Sequence, residues 1–223
     1  MRTPSDEDPT VARPSSNRHA RLGRPPQASG DETRSRLIAA AWTCFGELGY
    51  QPTNLKAVAE IAGVTVAAIY NYCPSKMDLF NAASQEATEI ALSHIRPLVD
   101  AADGFVEKLS AFLDGSLNLY RDKPSMAKFV STTHLDSRRY DGLHDVFGDP
   151  RWREIQDEIL STGLMEGEFA ESAVSSIRGI FTAVVYGLSY LAADSHVRLH
   201  STAIEGFRLL FHGDLINADG VET

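Results

Sequence analysis

The chain has 223 residues, 43% hydrophobic, 23% charged and 9% aromatic, with a formal net charge of −9. That composition is globular and excludes a collagen-like, coiled-coil or wholly disordered chain. Two cysteines, Cys44 and Cys73, are too few for a disulfide framework or a zinc cluster and fit a reducing compartment.

The charge is uneven. Residues 13–80 carry eight Lys/Arg against five acids, whereas residues 81–223 carry twelve against twenty-two. A basic N-terminal third joined to an acidic remainder suggests two regions with different partners. No N-terminal apolar run resembles a signal peptide. The longest apolar stretch, residues 179–193, is shorter than the roughly 20 residues that span a bilayer. A cytoplasmic protein without a membrane partner is expected.

Residues 1–30 hold five of the ten prolines and almost no large apolar side chain. Nothing there offsets the entropy of ordering the chain, so this segment reads as a disordered arm carrying Arg13, Arg18, Arg21 and Arg24. From Asp31, Leu37, Ala41, Phe45 and Leu48 recur at helical spacing up to Gly49, with Asp31 or Thr33 as N-cap. Pro52-Thr53 opens a short second helix, with Thr53 as its cap and Val58, Ile61 and Ala62 facing inward. Gly63 ends it, and a third helix buries Val64, Ala68 and Ile69. Ser75 and Asp78 have capping-box spacing at the start of a fourth helix, which runs towards Pro97.

The remainder is also helical. Predicted helices cover residues 104–121, a segment after Pro124, residues 152–163, and two long closing helices at 171–193 and 197–215, with a turn-rich stretch at 137–150. Nothing alternates like a strand. The predicted fold is all-α, with one helical domain at 31–80 and a second at 81–223.

The turn at Ala62-Gly63-Val64 between two short helices gives helix-turn-helix spacing. The solvent edge of the second holds Thr65, Val66, Ala67, Tyr70, Asn71 and Tyr72. Thr65, Val66, Ala67 and Asn71 are candidates to face bases. Thr53, Tyr70, Tyr72 and Lys76 are candidates to position the domain on phosphates, Lys76 as a cation beside a helix N-terminus.

Residues 34–80 resemble the DNA-binding domain of the TetR/AcrR family of bacterial transcriptional regulators. The resemblance rests on Ala40, Ala41 and Phe45, on Gly49-Tyr50, on Thr53, on the run from Val58 to Thr65, on Tyr70-x-Tyr72, and on Ser75-Lys76-x-x-Leu79. Asn54, Ala67 and Cys73 depart from the family's usual pattern. The resemblance implies a helix-turn-helix DNA-binding domain at 31–80 and a helical effector-binding and dimerisation domain at 81–223. It implies a homodimer, an effector pocket in the C-terminal helices, and a palindromic operator released by a small ligand. The arginine arm then either lies along that DNA or serves as a hydrated tail. The expected function is therefore a repressor. A regulator without an effector, or a helical enzyme or dimerisation module with a degenerate helix-turn-helix, are the alternatives.

Phe112, Phe129, Trp152, Phe181 and Tyr186 are candidates to line a ligand cavity, although aromatics at helical spacing also make plain core. The acidic C-terminal region suggests an apolar effector, neutral or cationic. The two last helices, through Gly179, Gly187, Ser189, Ile204, Phe207 and Phe211, are the expected dimer interface. His134, His144, His196 and His200 lack a completing cluster for a metal, and Cys73 reads as a packing residue. No phosphate loop or nucleophile elbow appears, so neither a cofactor nor an enzyme activity is expected.

Overall fold

The computed structural model describes residues 30–193 together with 202, 203, 205 and 206. The arm with its four arginines, His196, His200, Ile204, Phe207 and Phe211 lie outside the described residues, as does most of the predicted last helix. Eight α-helices and two 3-10 turns make up the described part, and no strand occurs in it.

Helix α1 (Gly30–Leu48) buries Leu37, Ile38, Ala41 and Phe45. Helix α2 (Leu55–Ala62) is capped by Asn54, whose side-chain oxygen accepts from the N–H groups of Lys56 and Ala57 at 3.0 Å each. Thr53, the expected cap, lies one residue too early. It is 2% exposed, and its hydroxyl donates to the carbonyls of Gly49 (2.7 Å) and Cys44 (3.1 Å) at the end of α1. Ile61, expected inside, is 56% exposed. Gly63 turns the chain at φ 66°, a left-handed conformation that an L side chain resists.

Helix α3 (Val66–Tyr72) is capped by Thr65, which accepts from the Ala68 N–H at 3.1 Å, and it anchors through the fully buried Ile69. Helix α4 (Lys76–Asp100) follows after three residues. Ser75 caps it by accepting from the Asp78 N–H, and the Asp78 carboxylate takes the Ser75 hydroxyl at 2.7 Å. This helix runs without a break across residue 80 and so belongs to both halves of the chain.

Helices α5 (Phe105–Asp122), α6 (Pro124–Arg139), α7 (Pro150–Glu166) and α8 (Val174–Ala193) complete the second half. The halves join where α1 lies on α6 and α4. Phe45, Phe80 and Phe129, one from each of these helices, stack edge to face or tilted with ring centroids 5.1–6.3 Å apart. Phe129, a candidate cavity residue, is 0% exposed in this junction and is not among the residues lining the two cavities described below. The Trp42 indole N–H donates to the Ala83 carbonyl (2.9 Å), and Lys128 pairs with Glu47 (2.6 Å). Gly46 has no room for a side chain, because a Cβ there would stand 2.9 Å from the Phe129 backbone nitrogen.

Helix α8 is unlike the others. Phe181 and Leu188 are buried, yet Ile180 and Tyr190 are 52% and 65% exposed. Residues 171–191 form a 21-residue stretch long and apolar enough by composition to cross a bilayer, more than the 179–193 run suggested. Only 17% of its apolar window is buried within the chain, while Arg178 ties it to Asp157 on α7 at 2.6 Å.

Replacing Gly46 by alanine should push α6 off α1 and cost about 1–3 kcal/mol. Urea unfolding followed by tryptophan fluorescence measures this, and an unchanged midpoint would show that the contact can relax freely.

Candidate nucleic-acid interface and its link to a helical cavity

On α3, Thr65, Ala67, Tyr70, Asn71 and Tyr72 are exposed together, while Val66 is half-buried against the core. Tyr70 is 52% exposed. The Tyr72 hydroxyl donates to the Gly30 carbonyl at 3.4 Å, so part of its hydrogen-bonding capacity holds the start of α1. Arg36, exposed on α1, was not singled out by the motif search. Its Nη1 lies 3.6 Å from where a Cβ on Gly63 would sit, beside the helix-turn-helix turn. The segment charge count held the only sequence signal for it.

Two of the predicted positioning residues are occupied elsewhere. The Thr53 hydroxyl is buried, as described above. The Lys76 ammonium donates to the carbonyls of Tyr50 (3.0 Å), Gln51 (3.1 Å) and Thr53 (3.1 Å), and lies 4.5 Å from the Tyr50 ring centroid. Its three N–H donors are all used, so the side chain has none left for a phosphate. Burial also moves its pKa below the usual lysine range. Lys76 is thus a clamp on the loop between α1 and α2, set directly after α3.

The second half of the chain grips the same loop. Asp136 on α6, 8% exposed, accepts from the Tyr50 N–H at 2.8 Å, and the Tyr140 and Tyr50 rings lie 5.4 Å apart. Asn81 on α4 holds the segment after α6 from both sides. Its amide donates to the Gly142 carbonyl and its oxygen accepts from the His144 N–H, each at 2.9 Å.

A few residues on, the same segment walls a cavity of about 260 Å³. Phe112 of α5, Phe147, Trp152 and Gln156 of α7, and Thr182 and Tyr186 of α8 line it. Phe112, Trp152 and Tyr186 were among the predicted lining residues. Phe181 faces a separate apolar notch with Phe105, Leu109 and Ile159. Phe147 escaped the sequence reading because it sits in a stretch dominated by turn residues. Tyr186 packs on Phe147 (5.0 Å) and on His134 of α6 (4.4 Å). Burial, with the Asp145 carboxylate adding to it, pushes the Tyr186 hydroxyl up to about 12, so it stays protonated and can donate.

His134 is paired with Asp145 at 2.7 Å. Among the described residues no group of three or more His, Cys, Asp or Glu is arranged to hold a metal. Cys73 is buried, and burial raises its thiol pKa, as suits a packing residue.

Residues 37–83 match the family model described as bacterial regulatory proteins, tetR family. The chain is 36% identical over 74 residues to the HTH-type transcriptional dual regulator CecR of Shigella flexneri, a match covering 33% of each chain. It is 34% identical over 88 residues to the HTH-type transcriptional repressor KstR of Mycobacterium tuberculosis, covering 39% of each. The matches thus span little more than a third of these relatives. In fold it is similar to the transcriptional regulator FadR from Bacillus subtilis, solved in complex with stearoyl-CoA. The TM-score is 0.64 at 20% identity, covering 80% of this chain and 98% of that one.

Replacing Lys76 by methionine removes three charged hydrogen bonds but keeps most of the stem, and should cost roughly 2–3 kcal/mol of stability. The salt dependence of binding to duplex DNA should stay the same. A fall of about 0.9 in the slope of log K against log salt would instead return Lys76 to a phosphate.

Proposed function

We propose that the chain, whose residues 37–83 match the tetR family of bacterial regulatory proteins, is a DNA-binding transcriptional repressor of that family whose operator affinity falls when a small ligand fills the helical cavity. The exposed face of α3, held by the Lys76 clamp, carries this reading. Ala67 and Asn71 would meet base edges, together with Thr65 and the half-buried Val66. Tyr70, Tyr72 and Arg36 would position the domain on phosphates. A small side chain at 67 permits close approach, and an amide at 71 can pair with adenine.

The ligand's effect would pass through shared elements. Phe147 walls the cavity, and the segment just before it is held by Asn81 on α4. Tyr186 packs on His134, two residues before Asp136, the acceptor for the Tyr50 N–H. A ligand that binds one position of this segment better than the other biases the α1–α2 loop, and by linkage DNA biases ligand affinity equally. The fold-level neighbour solved with stearoyl-CoA supports a ligand-responsive reading.

A homodimer formed through α8 and the segment beyond it would cover Ile180 and Tyr190. The small residues Gly179 and Gly187, with no described residue within 4 Å of either Cβ position, allow another helix to come near. Two copies of α3 would then address a palindromic site. Sedimentation of the full chain should give a dimer at micromolar concentration; a monomer both with and without DNA overturns it.

Gel shift with the DNA upstream of the chain's own gene tests the reading directly. Specific retention is expected at nanomolar to micromolar protein, and its loss in Asn71→Ala with the fold intact. Equal affinity for unrelated duplexes would refute a sequence-specific regulator. The arm adds a second expectation. Residues 31–80 hold four Lys/Arg against five acids, one of the four being the occupied Lys76, so the basic excess lies in residues 13–24. Removing residues 1–24 should weaken DNA binding and flatten its salt dependence by up to about 0.9 per lost phosphate contact, with dimerisation unchanged. An identical slope would leave the arm as a hydrated tail.

A further inference from the structure

Resting on the reading of the cavity as the effector site, we propose that it takes a monoanionic amphipath, an apolar ring or short chain ending in one carboxylate, with Arg153 as the residue that pairs with the acid group. The walls supply the apolar half. Phe112 and Trp152 are 2% and 4% exposed, and Phe147 stands across from Trp152 with ring centroids 5.9 Å apart. The Trp152 indole N–H is already committed to the Val146 carbonyl at 2.9 Å, so its ring offers surface rather than a donor.

The charges divide unequally. Two formally charged side chains line the cavity, Asp149 and Arg153. The Asp149 carboxylate caps α7 by accepting from the Arg151 N–H (3.0 Å) and takes two further bonds from the Arg151 guanidinium, from Nε at 2.9 Å and from Nη2 at 2.8 Å. Those bonds hold its pKa below the ordinary carboxylate range. Asp145, which is not among the lining residues, is turned to His134 at 2.7 Å.

Arg153 is exposed on the first turn of α7 and pairs with no acid among the described residues. The positive end of the helix dipole lies under it. Arg151 is shared between Asp149 and Glu89 (3.1 and 2.7 Å to the latter), so what distinguishes the cavity wall is Arg153, a lining cation with no ion-pair partner among the described residues. Although residues 81–223 as a whole are acidic, this favours an anion over the neutral or cationic ligand that bulk charge suggested. One guanidinium matches one carboxylate in a planar, bidentate pair. The neighbouring Asp145 and Asp149 disfavour a second negative charge, which separates a carboxylate from a phosphate monoester. A volume of about 260 Å³ is small for a ligand pocket, which suits a compact acid.

The test uses full-length protein without DNA, in thermal melts and calorimetry. The probes are phenylacetate, 3-phenylpropionate, indole-3-acetate and octanoate, each compared with its amide, its amine and its phosphate-bearing analogue. At least one carboxylate should raise the melting temperature while its amide, amine and phosphate partners leave it unmoved. Arg153→Gln should weaken that carboxylate by roughly tenfold or more, and Arg153→Lys should restore part of the loss. Thr182→Trp, which fills the cavity and leaves Arg153 alone, should abolish binding. Silence from every carboxylate, an equal response to an amide, amine or phosphate, or unchanged affinity in Arg153→Gln or Thr182→Trp overturns the proposal. The regulatory reading fails separately. A carboxylate that binds through Arg153 yet leaves DNA retention untouched refutes release by ligand, whereas release by a neutral compound refutes the acid and keeps the regulator.

Discussion

The arrangement depends on how closely α1 can lie on α6. At Gly46 the two backbones meet with no side chain between them, and a single methyl group would strike main-chain atoms of Phe129 and Lys128. That contact sets the depth at which Phe45 reaches Phe80 and Phe129, and so fixes α1, α4 and α6 as one body. Interiors pack near crystal density, so such a junction transmits a displacement rather than absorbing it. The helix-turn-helix unit is too small to bury its own first helix fully, and α6 completes its core.

From that junction the remaining geometry follows. The α1–α2 loop leaves α1 where Asp136 can reach the Tyr50 N–H, and its carbonyls converge on Lys76. The loop's polar groups are satisfied by one acid from α6 and one cation from the start of α4. The orientation of α3 is then fixed from both ends, by the Gly63 turn before it and by the clamp just after it. The cavity attaches to the same frame through the segment from Gly142 to Phe147, which Asn81 holds at its beginning.

Helix positions were legible in the sequence because each carries a local signal: apolar spacing in α1, Gly63 at the turn, Ser75 before α4, prolines at the starts of α6 and α7. The exposed edge of α3 followed from the same periodicity. What could not be read was which partner a polar side chain would choose. Thr53 and Asn54 are both good caps, and burial of Thr53 under the end of α1 decides between them. Lys76 looks like a surface cation until carbonyls 23–26 residues earlier come within reach. Phe129 and Phe112 have the same helical spacing, and only the position of α1 makes one of them junction and the other cavity wall.

The Lys76 clamp has a bearing on how this chain can change over evolutionary time. All three of its acceptors are main-chain carbonyls, which every amino acid supplies, and the Asp136 acceptor likewise takes a main-chain N–H. The side chains of Gln51 and Pro52 are exposed and take no part in these bonds. Sequence drift at those positions therefore leaves the joint intact. Relatives could diverge along the loop while keeping only a lysine and an aspartate 60 positions apart, which would make that pair a more durable signature than the loop it secures.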